Sequence, residues 1–144
     1  MTDAPPETLH ASCVEIGGRG VLIAGRSGSG KSDLALRLID RGATLVSDDY
    51  TLIWNAGGRL LAKAPDTIAG KIEMRGVGLI ELPALADVPV CLLADLDRAV
   101  ERLPDVGRTN LMGIELPVIA ISALEASAPV KLETALRQFG LKIA

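Results

Sequence analysis

A chain of 144 residues is long enough for one domain with a single buried core. Hydrophobic residues make up 49% of it, yet only Tyr50, Trp54 and Phe139 are aromatic, so the core must be aliphatic and a base-stacking nucleic-acid surface is disfavoured. A net charge of −3 with dispersed Lys and Arg argues against a broad phosphate-backbone footprint and leaves room for a small anion pocket. Cys13 and Cys91 each lie inside an apolar stretch and read as buried, reduced thiols; with one histidine in the chain, no zinc site is expected. No apolar run approaches the ~20 residues that span a bilayer. Residues 1–9 lack the basic and apolar regions of a signal peptide. The expectation is a mobile tail over residues 1–8 and one soluble, cytoplasmic domain over 9–144, with neither nucleic acid nor membrane as a partner.

Ala11 to Ile16 and Gly20 to Ala24 read as two strands joined by a tight turn at Gly17-Gly18. The second strand runs into a glycine-rich loop. Beyond it, Leu34, Ala35, Leu38 and Ile39 share one helical face, opposite Asp33, Arg37 and Asp40, and Gly42 is placed to end that helix. Thr44 to Val46 is a short buried strand ending at Ser47-Asp48-Asp49. Asn55-Ala56-Gly57-Gly58 separates Tyr50–Trp54 from Arg59–Lys63, a hairpin signal. Lys71 to Met74 and Leu79 to Leu82 read as strands around Arg75-Gly76-Val77-Gly78, and Val88 to Ala94 as a fully apolar strand. A last helix is expected from an N-cap at Ser127, with Leu132, Leu136 and Phe139 as its apolar stripe. The class is α/β: a compact P-loop domain with a strand-rich mixed sheet and hairpins.

Gly25-Arg26-Ser27-Gly28-Ser29-Gly30-Lys31-Ser32 matches G-x-x-x-x-G-K-[ST] in full, between an apolar strand and an amphipathic helix. Gly25, Gly28 and Gly30 let backbone N–H groups approach phosphate oxygens without a Cβ in the way. The helix start adds unpaired donors, Lys31 a charge for the β- and γ-phosphates, and Ser32 a ligand for Mg²⁺. No N-K-x-D guanine-reading motif occurs, and the chain is short for a motor or transporter, so a compact kinase is favoured.

A P-loop protein needs a further carboxylate at a strand end. Asp95, closing Val90 to Ala94, fits the usual template; Asp48-Asp49 also follows an apolar run and lies nearer the loop. Two adjacent carboxylates there suit a division of labour, one organising metal and water, the other accepting a proton from an attacking hydroxyl. A solvated turn before the hairpin is the plainer alternative.

Three features in order resemble the catalytic domain of the HPr kinase/phosphorylase family: Leu9-His10 ahead of the P-loop, R-G-A-T-L-V-S-D-D at Arg41 to Asp49, and I-E-M-R-G-V-G-L-I at Ile72 to Ile80. The resemblance covers roughly His10 to Ile80. It implies the P-loop fold shared by HPr kinase and phosphoenolpyruvate carboxykinase, ATP and Mg²⁺ as cofactors, and a serine of the phosphocarrier protein HPr as acceptor. By motif position, Gly25 to Ser32 bind the triphosphate, and Ser32, Glu73 and Asp48 hold Mg²⁺. Asp49 is the proton acceptor, and in the phosphate-consuming reverse reaction it returns the proton. His10 positions or tunes Asp49.

Beyond Ile80 the resemblance thins. Arg102, within Arg98 to Pro104, is the best candidate for an arginine on the transferring phosphoryl, and Ser122 to Ser127 replaces the family's P-G-R-N-like loop. That loop serves mainly dephosphorylation, so a kinase is expected first, in the short proteobacterial form without an N-terminal domain. The family's core also implies a homo-oligomer, a hexamer in the long forms. Two other readings stand beside it: a P-loop kinase of a small molecule, which needs a closed acceptor pocket, and a nucleotide-sensing module without turnover, which has no need of Asp49.

Overall fold

The structure, a computed structural model, describes residues 5–143. Eleven strands and two α-helices follow one another as β1 (Glu7–Leu9), β2 (Ala11–Ile16), β3 (Arg19–Ala24), α1 (Lys31–Asp40), β4 (Thr44–Ser47), β5 (Thr51–Ala56), β6 (Arg59–Lys63), β7 (Lys71–Met74), β8 (Gly78–Glu81), β9 (Val88–Asp95), β10 (Gly107–Leu111), β11 (Ile114–Ala120) and α2 (Ala128–Phe139). The expected elements are present, and three corrections apply. The tail expected over residues 1–8 ends sooner, because Glu7–Leu9 pairs antiparallel with β5, while residues 1–4 lie outside the described residues. Strand β10, which pairs with β11, is not signalled by the sequence, since Gly107-Arg108-Thr109-Asn110 carries little apolar alternation. Phe139 is 49% exposed, and Ala135 takes its expected place beside Leu132 and Leu136 on the buried stripe of α2.

The main sheet is mixed, in the order β1-β5-β6-β9-β3-β2-β4. Its centre is β9. One edge pairs parallel with β3 from Gly20 to Ala24; the other is divided, antiparallel to β6 at Val88 and Pro89 and parallel to β11 from Leu93 to Asp95. β3 is buried on both faces, as its unbroken Val21-Leu22-Ile23 run demands. Strand alternation then sorts the core: Val21 and Ile23 join Leu34, Leu38, Leu132 and Leu136 beneath the helices, while Leu22 joins Cys13, Val46, Ile53, Leu60 and Leu116 on the opposite face. Both cysteines are buried free thiols, and burial pushes Cys91 up to about 11 and Cys13 higher still. Among the described residues, no helix is long and apolar enough to cross a membrane.

Arg41 joins Glu133 of α2 at 2.8 Å, and Arg19 donates to the carbonyls of Leu136 and Leu141, tying down the end of α2. α1 therefore serves the core through its buried face and the glycine-rich loop through its first turn. Leu38 is wholly buried on that face. Leu38→Ala is expected to lower stability by about 2–5 kcal/mol, read from the urea midpoint at unchanged slope.

Candidate active site

The chain leaves β3 at Ala24, whose carbonyl accepts from Leu96 N–H at 2.8 Å, so the loop after β9 braces the glycine-rich loop from behind. The Arg26 N–H donates to Asp97 Oδ2 at 2.9 Å, and the Ser29 N–H closes a turn onto the Arg26 carbonyl at 3.1 Å. Ser29 Oγ is buried without a partner and lies against Gly25, where a Cβ would stand 2.5 Å from it and 3.1 Å from Leu96 Cβ. A Cβ there would force Ser29 and Leu96 to give way. Gly30 has φ +98° and would bring a Cβ within 3.1 Å of Ala123 Cβ. Gly25, Arg26 and Ser29 thus shape the loop from outside, while Ser27, Gly28, Gly30, Lys31 and Ser32 line a cleft of about 550 Å³. No side chain caps α1, so the unpaired N–H groups of its first turn remain for an anion.

Asp48 lies on the floor of this cleft, 7% exposed. A buried carboxylate must be hydrogen-bonded, and three elements supply donors. Ser32 Oγ donates to Asp48 Oδ1 at 2.5 Å, Ser12 Oγ donates to the same oxygen at 3.2 Å, and the Glu73 N–H donates to Oδ2 at 3.2 Å. Asp95, the other candidate, closes β9 but turns to the Asp97 N–H at 2.9 Å and to Arg98 at 3.6 Å, and it does not line the cleft.

Asp49 follows with φ +66°, and the Tyr50 N–H bonds the Asp48 carbonyl at 2.7 Å. This is a three-residue turn of positive φ, a strained conformation that persists only where its surroundings impose it. The turn lifts the Asp49 carboxylate to the cleft, where Oδ1 is 2.9 Å from His10 Nε2 and 3.9 Å from Lys31 Nζ. His10 is stacked on Tyr50 with centroids 5.0 Å apart. Lys31 is 5% exposed, and its ammonium donates to the carbonyls of Gly25 at 2.7 Å and Arg26 at 3.0 Å. The site is therefore assembled from the start of β2, the glycine-rich loop and the end of β4.

Glu73, Met74, Arg75 and Val77 from the β7–β8 hairpin form one wall of the cleft. Leu124 faces them on a loop whose Ala123 and Glu125 carbonyls are both gripped by Arg37 of α1. Arg102 is not brought in: it is exposed in the irregular stretch between β9 and β10 and does not line the cleft. Its place was expected from a thin similarity, and no strand or helix carries it there. Ser12, Tyr50 and Leu124 are not singled out by the sequence. For Ser12 a signal exists: it is a polar residue two positions after His10, at the start of a largely apolar strand.

The residues present suit Mg²⁺ and a nucleotide. Among the described residues no three His, Cys, Asp or Glu side chains cluster into a metal cage. Mg²⁺ seldom needs one, since it keeps water and phosphate oxygens beside one or two protein ligands. Ser32 and Asp48 offer hard oxygens side by side, and Glu73 lies on the adjacent wall. Because the buried Ser29 hydroxyl is unpaired, Ser29→Ala is expected to leave nucleotide binding within about twofold and raise stability slightly, whereas Gly25→Ala is expected to abolish binding. Calorimetric titration with ATP and a thermal melt of each variant check this.

Residues 2–87 match the family model described as the HPr serine kinase C-terminal domain. Among curated relatives, the HPr kinase/phosphorylase of Clostridium beijerinckii is 44% identical over 134 residues, covering 89% of this chain and 44% of its own length. That of Clostridium tetani is 45% identical over 82 residues, covering 57% of this chain and 27% of its own. The chain thus spans less than half the length of either relative. Of solved structures, the Hpr(Ser) kinase/phosphatase from Coxiella burnetii superposes with a TM-score of 0.79 at 29% identity, over 91% of this chain and 94% of that one. The strand-rich P-loop fold expected from the sequence is the fold of that protein. The family match runs through His10, the glycine-rich loop, Asp48-Asp49 and Glu73 to Val77, and the chain belongs to the HPr serine kinase C-terminal domain family.

Proposed function

We propose that this domain transfers the terminal phosphoryl group of ATP to a serine hydroxyl of an HPr-like phosphocarrier protein. One observation carries the reading: a half-exposed Asp49 carboxylate held 2.9 Å from His10 and 3.9 Å from Lys31, at the mouth of a phosphate-binding loop. Asp49 accepts the serine proton as that oxygen bonds to phosphorus, and the bridging bond to ADP breaks. His10 fixes which way the carboxylate points. The Lys31 ammonium is held at the loop by two backbone carbonyls, where its charge would meet a bound triphosphate. When bound, Mg²⁺ neutralises phosphate charge and orients the triphosphate, with Ser32, Asp48 and Glu73 as the residues that would hold it.

In the reverse direction Asp49 returns its proton, but the short Ser122–Ser127 loop makes the kinase direction the principal one. A cytoplasmic setting and a homo-oligomeric assembly go with the same reading and rest on family membership. An acceptor protein suits the cleft better than a metabolite, because Val77 and Leu124 on its rim are 71% and 88% exposed.

Incubation with γ-labelled ATP is expected to place label on a serine of HPr; label on a small molecule, or none, overturns the reading. Asp49→Asn, a residue that tolerates positive φ, is expected to lower the transfer rate by about 10²–10⁴-fold. Its nucleotide affinity should stay within about twofold of the parent's, and turnover at the parental rate would sink the assignment.

A further inference from the structure

Asp49 is held at two points, and only one of them is its carboxylate. β2 runs antiparallel to β4 with Cys13 opposite Ser47, so Ser12 stands where the next pairing with Asp48 would fall. The ladder ends at that point, because the chain turns into the positive-φ conformation at Asp49. Ser12 replaces the lost backbone partner with its side chain. Its Oγ accepts from the Asp49 N–H at 3.0 Å and donates to Asp48 Oδ1 at 3.2 Å. A hydroxyl has one proton to give and lone pairs to receive, so both bonds are satisfied together. Ser12 is fully buried, so no water can take over either bond without opening the strand. One residue earlier, Ala11 accepts at its carbonyl from Thr51 Oγ1 at 2.8 Å, which pins the far side of the same turn.

We propose that Ser12 is a positioning residue for phosphoryl transfer, holding the strained Asp48-Asp49 turn so that Asp49 meets the acceptor hydroxyl. The inference rests on the reading of Asp49 as proton acceptor. His10, in the bend just before β2, and Ser12, on β2, then divide the work: His10 orients the carboxylate, and Ser12 sets the backbone from which it projects. Without the hydroxyl, the strained turn loses the bond that compensates it and the carboxylate drifts from its mark.

The test compares Ser12→Ala, Ser12→Cys and Ser12→Thr with the parent. Four quantities are read: kcat and KM for transfer to HPr, ATP affinity by calorimetry, and the exchange rate of the Asp49 amide by NMR. In the Ala and Cys variants the Asp49 amide should exchange at least about tenfold faster, and kcat should fall about 10–100-fold, with KM and ATP affinity within about twofold. Thr, which keeps the hydroxyl, should restore both amide protection and kcat. Cys preserves the shape of the buried site, so it carries the test if the Ala variant does not fold. A kcat in Ala or Cys within twofold of the parent, unchanged exchange at Asp49, or a Thr variant as impaired as Ala each overturns the proposal. If the parent itself labels no HPr, the functional reading fails on its own. Amide exchange then decides whether Ser12 holds the turn.

Discussion

A carboxylate buried in an aliphatic interior survives only if donors surround it, and at Asp48 this requirement organises the molecule. Its donors come from three places far apart in sequence: Ser12 on β2, Ser32 at the start of α1, and the Glu73 backbone on β7. Satisfying one ion therefore fixes a strand, a helix N-terminus and a hairpin against one another. Removing any donor leaves charge short of a partner, which is more costly than the loss of one ordinary hydrogen bond. The cleft walls are thus set by the same contacts that keep the floor stable.

From that anchor, chemistry passes to the neighbouring residue. Asp48 is enclosed and spent on hydrogen bonds, whereas Asp49 is turned outward by its positive φ and keeps an oxygen at the cleft mouth. Two adjacent identical side chains so acquire different tasks through burial and backbone direction. The glycine-rich loop shows the same economy. Its outer residues bind the loop to β9 through Asp97 and Leu96, which leaves the inner ones free to meet a phosphate. Strain in the turn and an unpaired Ser29 hydroxyl in the loop both lie beside the site.

Much of this was readable from the chain. The apolar runs of β2 and β3, the hairpin at Gly57-Gly58 and the amphipathic α1 are local patterns, and local patterns survive folding. The misreadings have physical reasons. Glu7–Leu9 is a strand only because β5 offers it an edge, and the polar β10 is a strand only because β11 is its partner. Phe139 fits the helical stripe by spacing, yet α2 ends there and its ring stays in solvent. Arg102 depended on a similarity that had already thinned, in a segment without regular structure to aim it.

The sequence by itself determined the phosphate loop, the adjacent carboxylates and the glycines that close backbone approach requires, because each depends on residue type and short spacing. Residue pattern alone left open which strand end, Asp48 or Asp95, faces the loop, since both follow an apolar run; in the sequence only the family resemblance favoured Asp48-Asp49. Tertiary structure decided that by register: β4 lies against β2, which brings Asp48 to Ser12 and Asp49 to His10, while Asp95 is drawn back to Asp97 and Arg98. It also assigned Ser12 and Leu124, whose meaning lies in contacts across 36 residues or more of chain, or in a shared cleft, and so in no local pattern.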